Sequence, residues 1–167
     1  GAGNDALFGG AGNDRMVQDG SGSQTYDGGE GTDTYEINLS NFNLDSSRVI
    51  EVNMITGYSG LQGDTTLSDT IANFENINLS TATNAVLITG DSGNNTLTGG
   101  AGDDTINGGA GDDTLAGTNG SNVMSGGAGN DSITLGDGAD NVSGGVGNDT
   151  IVGGTNILLT DTIDGGD

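Results

Sequence analysis

The chain has 167 residues, 35 of them Gly, and 24 acidic side chains set against only Arg15 and Arg48, for a formal net charge of −22. That balance excludes a nucleic-acid binder, which neutralises phosphates with Lys and Arg, and the absence of Cys and His excludes disulfides and ordinary zinc sites. Apolar residues at 31% are too few for an ordinary core, so the chain stays unfolded unless a multivalent cation neutralises it and replaces the missing burial.

In chain order, residues 1–36 form a first repeat block: GAGNDALF from Gly1, then nine-residue copies from Gly9, Asp19 and Gly28. Gln18 is an extra residue that shifts the frame by one. Residues 37–89 break the pattern. Alternating polar and apolar residues over Thr34–Leu39, Val49–Met54 and Phe74–Leu79 predict longer strands. Tyr58–Asp64 reads as a loop, and the segment as wider coils of the same array with a projecting loop. Residues 90–152 hold seven copies with no slip in phase, from Gly90, Gly99, Gly108, Gly117, Gly126, Leu135 and Gly144. Residues 153–167 read as an interrupted coil through Ile157-Leu158-Leu159 that starts a truncated further repeat at Asp161. Helix is not expected anywhere. Gly1 opens inside one motif and Asp167 stops inside another, so the chain is expected to be a piece of a longer protein, and missing targeting signals carry no meaning. No apolar stretch approaches the roughly 20 residues needed to cross a bilayer, so membrane insertion is not expected.

A flexible Gly-rich linker is the simplest alternative. It fails on position eight of the copies, which is always apolar: Leu7, Met16, Tyr26, Tyr35, Leu97, Ile106, Leu115, Met124, Ile133, Val142 and Ile151. A linker has no reason to keep an apolar residue at fixed phase. Each copy therefore reads as a glycine turn followed by a three-residue strand with one buried side chain. No copy can bury that residue alone, and stacking makes the core continuous.

Position six is Asp5, Asp14, Asp33, Asp104, Asp113, Asp131, Asp140 and Asp149, with Asn95 and Asn122 in two copies. Glycines at positions two and four precede it: Gly10 and Gly12, Gly29 and Gly31, Gly100 and Gly102, Gly109 and Gly111, Gly127 and Gly129, Gly145 and Gly147. The frame Gly-Gly-any-Gly-any-Asp-any-apolar-any resembles the RTX (repeats-in-toxin) calcium-binding nonapeptide repeat family. The resemblance covers residues 1–36 and 90–152. It implies an all-β fold, a right-handed parallel β-roll (a β-solenoid) with two repeats per coil, here interrupted by wider irregular coils. It also implies several Ca2+ ions held between stacked turns by the Asp carboxylates and glycine carbonyls. Calcium takes six to eight oxygens, and two stacked turns can surround it where one cannot.

With two repeats per coil, stacked turns lie eighteen residues apart. One edge then carries Asn95, Asp113, Asp131 and Asp149, the other Asp104, Asn122 and Asp140. The fullest sites are expected between Asp113 and Asp131 and between Asp131 and Asp149. Sites at Asn95 or Asn122 lose a carboxylate and should be weaker, and Asp5 with Gln24 is a poorer pair than Asp14 with Asp33. Asp103, Asp112, Asn130 and Asn148 at position five read either as additional ligands or, preferably, as solvated turn residues tolerant of left-handed geometry.

Three functions are weighed. The first is a calcium-binding structural module of a secreted or cell-surface bacterial protein, exported by a type I system as the resemblance implies, and folding on calcium outside the cell. The second is an adhesin or surface-layer segment, which leaves room for self-association or surface attachment. An ice binder would want a Thr row, whereas position three reads Ala11, Ser21, Glu30, Ala101, Ala110, Asn119, Ala128 and Val146. The third is an accessory domain of a secreted protease, lipase or epimerase. No His or Lys is present and the Asp residues have a better use, so no catalysis is expected within this chain.

Overall fold

The computed structural model describes residues 3–19, 22–39, 44–45, 47–62, 68–154 and 161–167. Ile157-Leu158-Leu159 and the Gly63-Asp64 end of the expected loop lie outside the described residues. The described chain is all β, with seventeen strands in two sheets. The first sheet holds β1 (Ala6–Ala11), β3 (Thr25–Glu30), β7 (Ser68–Ala72), β6 (Tyr58–Leu61), β5 (Ile50–Asn53), β9 (Val86–Thr89), β11 (Thr105–Ala110), β13 (Val123–Ala128), β15 (Asn141–Val146) and β17 (Thr162–Asp164), in that order. Facing it in reverse listing are β16 (Thr150–Val152), β14 (Ser132–Thr134), β12 (Thr114–Ala116), β10 (Thr96–Thr98), β8 (Asn76–Asn78), β4 (Thr34–Ile37) and β2 (Arg15–Gln18). Successive repeats alternate between the sheets and pair in parallel with the copy one coil away. This is a β-solenoid with two nonapeptides per coil.

The register follows from position eight. Leu97 lies opposite Leu115 and then Ile133, and Ile106 opposite Met124 and then Val142. In the first block Met16 lies opposite Tyr35, and Leu7 opposite Tyr26. The extra residue Gln18 is absorbed by a coil of nineteen residues, against eighteen in the second block. All these side chains are buried except Leu7 and Ile151, which sit on strands at the two ends of the stack. The repeat strands β1, β3, β11, β13 and β15 of the first sheet run six residues, longer than the three expected, because the ladder continues into the next glycines: Gly109 pairs with Gly127, and Gly127 with Gly145.

Residues 37–89 depart from the repeat in a specific way. β5 and β6 pair antiparallel, as do β6 and β7, so a three-stranded meander is inserted into the first sheet. Its outer strands restore parallel pairing, β7 to β3 and β5 to β9, while β8 bridges β4 and β10 in the second sheet. The two repeat blocks are thus one continuous solenoid. Tyr58–Leu61, expected as a loop, is instead the meander's central strand. Its sequence does not alternate, and its strand state comes from two antiparallel neighbours rather than from local pattern. This segment also holds much of the apolar core: Ile50, Val52, Leu61, Ile71, Phe74, Ile77, Leu79, Val86 and Ile88 are buried. Tyr26, Tyr35 and Phe74 pack as an aromatic row with ring centroids 5.2 and 5.4 Å apart.

Candidate metal centre

Turns stack along two edges of the solenoid, and a directed ladder runs through position six. The backbone N–H of each position-six residue donates to the side-chain oxygen of the next coil. Asn95 donates to Asp113 Oδ1 at 2.8 Å, Asp113 to Asp131 at 2.8 Å and Asp131 to Asp149 at 2.9 Å. On the other edge Asp104 donates to Asn122, Asn122 to Asp140 and Asp140 to Asp161. In the first block Asp5 donates to Gln24 and Asp14 to Asp33. The ladder passes into the irregular segment, where Gln24 donates to Asp69 Oδ1 and Asp33 to Glu75 Oε2, each at 2.7 Å. Sequence reading assigned nothing to Asp69, Glu75 or Asp161. Their signal is only the stacking partner, which lies 45, 42 and 21 residues away.

One oxygen of the carboxylates of Asp33, Asp113, Asp131, Asp140 and Asp149 serves the ladder, which Asp14 enters only as an N–H donor. Oδ2 is buried and has no hydrogen-bond partner in Asp14, Asp33, Asp113, Asp131, Asp140 and Asp149. A buried ionised oxygen without a partner is strongly unfavourable, and six of them at one phase of a repeat point to a missing positive charge. The space beside five of them is of one kind, Asp140 being the exception because Leu135 stands at position one of its copy. A Cβ built on Gly126 would lie 2.5 Å from the Gly144 carbonyl oxygen and 2.7 Å from Asp131 Cγ, with Oδ2 closer still. At Gly144 the same position is 2.5 Å from the Gly165 carbonyl oxygen and 2.8 Å from Asp149 Cγ. Position one is glycine because a methyl group would fill the cradle between carboxylate and carbonyl. Among the described residues no three Asp, Glu, His or Cys side chains form one metal-ligating group, so carbonyls must complete each shell. A donor set of hard oxygens, anionic and carbonyl, fits calcium.

The turns at Asn122, Gln24 and Asp104 satisfy themselves differently. Asn122 Nδ2 donates to the Asn119 and Gly120 carbonyls of its own turn, at 3.4 and 3.3 Å. Gln24 Nε2 donates to the Gly3 carbonyl at 2.8 Å. In both, an amide N–H, not a free carboxylate oxygen, faces the turn carbonyls. Asp104 spends both oxygens, on the N–H groups of Val86 and Gly100. Its glycines Gly100 and Gly102 also lack the left-handed φ found at Gly109, Gly111, Gly127, Gly129, Gly145 and Gly147. Beneath this turn lies the backbone of Ala82 and Asn84, not a nonapeptide.

Position five has its own ladder, running the opposite way. Asp112 donates its N–H to Asn94 Oδ1, Asn130 to Asp112 Oδ1, Asn148 to Asn130 Oδ1 and Ser121 to Asp103 Oδ1. These residues are inter-coil staples with side chains directed along the edge. The two opposed ladders fix the spacing of the turns.

Burial, and then repulsion from neighbouring carboxylates, raises the Asp113 carboxyl to about 6; burial likewise raises Asp104 to about 6 and lifts Asp131. A folded-state value above the ordinary one means the metal-free fold is favoured by protonation. That stabilisation is complete below about pH 4 and is lost as pH rises through about 6. In chelator, β-sheet circular dichroism should therefore increase on acidification from neutrality to about pH 4, the reverse of ordinary acid denaturation. With calcium present, the half-saturating calcium concentration should rise as pH falls through about 6, because protons compete for the same oxygens.

Stacked glycine turns with buried, half-satisfied carboxylates on a parallel β-solenoid define a nonapeptide-repeat metal-binding roll. The model of the RTX calcium-binding nonapeptide repeat matches the chain in four copies, over residues 1–17, 87–115 and 116–151. No match is found among curated proteins.

Proposed function

We propose that the chain is a calcium-dependent structural module of a secreted or cell-surface bacterial protein, its repeat block 90–152 unfolded in low calcium and folded where calcium is plentiful. The observation that carries this reading is the set of orphaned Oδ2 atoms on Asp113, Asp131 and Asp149, stacked on one edge beside glycine carbonyls. Calcium bound there supplies positive charge to paired carboxylates. The chain's own residues do the rest: the position-six ladder orients Oδ1, the glycines open the cradle, and the position-eight side chains seal the sheets behind it. Nothing in this arrangement needs a reacting group, and no catalysis is proposed for the chain itself. Export by a type I machinery accords with a chain whose net charge of −22 opposes collapse until metal arrives.

Calorimetric titration of the full chain tests the reading. Several calcium equivalents should bind with a concurrent gain of β-sheet signal. Asp131→Ala, which removes the carboxylate shared by two stacked turns, should lower the stoichiometry by more than one equivalent. A wild-type chain with no calcium heat, or an Asp131→Ala variant with unchanged stoichiometry, would count decisively against it.

A further inference from the structure

We propose that Asp33, the Asn73 carbonyl and Glu75 form an additional Ca2+ site, at the junction where a nonapeptide turn meets a turn that is not a nonapeptide. The inference rests on reading the chain as a calcium module, but it concerns residues outside the matched repeats, which end at 17 and resume at 87.

β7 ends at Ala72 and β8 begins at Asn76, so Asn73, Phe74 and Glu75 alone cross between the sheets. In the coil paired with it, where Asp27 lies opposite Ala72 and Thr34 opposite Asn76, the six residues Gly28–Asp33 make that crossing. The short turn still reproduces the parts that face an ion. Asn73 sits in the left-handed region at φ 54°, a conformation that Asn tolerates. Its Nδ2 donates to Asp27 Oδ1 at 2.7 Å, which anchors it. Glu75 Oε2 accepts the Asp33 N–H at 2.7 Å, as Asp33 Oδ1 in turn accepts the Asp14 N–H. The extra methylene of Glu spans what the shortened backbone does not.

The second, independent observation is Asp33 itself. It is 0% exposed, and its Oδ2 has no partner. A Cβ on Gly28 would lie 2.7 Å from that Oδ2 and closer still to the Asn73 carbonyl oxygen. The same cradle recurs one coil away, between Asp14 Oδ2, at 2.6 Å from a Cβ on Gly9, and the Gly28 carbonyl. Asn73 thus takes the place of a position-one glycine carbonyl, and Glu75 that of a position-six Asp. The donors are oxygens only, two of them carboxylate groups, which selects a hard divalent cation. An ion here would tie the meander to the first repeat block.

The aromatics make the site separately visible. Tyr26, Tyr35 and Phe74 pack together beside it, whereas residues 90–152 contain no Tyr, Phe or Trp. Tyrosine-sensitised emission from terbium(III), a hard oxygen-seeking cation, therefore reports ions bound near the junction and not those in the second block. On the full chain, Glu75→Gln keeps an acceptor for the Asp33 N–H and removes the charge. It should bind one calcium equivalent fewer by calorimetry, and show weaker sensitised emission at equal terbium, with an unchanged circular dichroism spectrum in saturating calcium. Unchanged stoichiometry and emission in Glu75→Gln overturn the proposal. So does a wild-type chain that binds terbium by calorimetry without sensitised emission, a readout independent of whether the variant folds. A wild-type chain that binds no calcium at all overturns the module reading with it, whereas calcium binding without emission overturns the junction site alone.

Discussion

In excess chelator, amides of residues 96–98, 114–116 and 132–134 are expected to exchange with solvent at nearly unprotected rates, while those of Tyr35, Val52, Ile71, Ile77 and Ile88 keep protection. The two regions differ in what holds them. Strands β10, β12 and β14 are three residues long, and each buries a single apolar side chain, Leu97, Leu115 and Ile133. Against that small burial stand the inward carboxylates of Asp113, Asp131 and Asp149, whose second oxygens have no partner. Linkage sets the scale: a site at a hundred times its Kd contributes about 2.7 kcal/mol. Three such sites on one edge contribute about 8 kcal/mol, within the range of a whole domain's stability. Removing them leaves nothing comparable in this block. The meander and its neighbours instead bury Ile50, Val52, Leu61, Ile71, Phe74 and Ile77 and the aromatic row. Hydrogen exchange followed by mass spectrometry resolves the two. Persistent protection at residues 114–134 in chelator would defeat the metal-dependent half of this expectation, and loss at Val52 and Ile77 the other half.

The repeat was legible because each fixed position carries a separate physical demand. Position eight is apolar because in strands such as β10, β12 and β14 it is the only buried side chain. Position six is acidic because its two oxygens do two jobs. Positions two and four are glycine because the backbone there turns left-handed at, for example, Gly127 and Gly129, with φ of 112° and 139°. What stayed hidden depends on partners remote in sequence. Tyr58–Leu61 has no alternation and becomes a strand only between β5 and β7. Glu75 looks like any acidic residue in an alternating stretch until its carboxylate meets the Asp33 N–H. Asp104 shows the converse. Its copy, GGAGDDTIN, is as complete as any in the chain. Yet its carboxylate is consumed by Val86 and Gly100 because the coil beneath is not a repeat. A perfect motif specifies half of such a site, and its stacking partner specifies the rest.

The same logic predicts that equivalent glycines differ in what they tolerate. Gly127→Ala should lower thermal stability in calcium by far more than Gly10→Ala, although both are position-two glycines in the left-handed region, at φ 112° and 100°. Backbone strain is common to both and costs about 1–3 kcal/mol. At Gly10 it is the whole cost, since a Cβ there meets nothing within 4 Å. At Gly127 the Cβ would lie 3.0 Å from the Gly109 carbonyl carbon and 3.2 Å from its nitrogen, with the carbonyl oxygen nearer. These are backbone atoms of the coil beneath, paired in register with Gly127 itself. Relief requires the two coils to part, which would also pull Asp131 Oδ1 from the Asp113 N–H. The combined loss is about 4–5 kcal/mol, at the severe end for a single substitution. For a chain of this size it amounts to a fall in Tm of roughly 10 °C or more. Calorimetric melting of both variants in saturating calcium makes the comparison. Equal losses would mean that strain alone sets the glycine requirement, and that coil-on-coil contact at these turns has no energetic role.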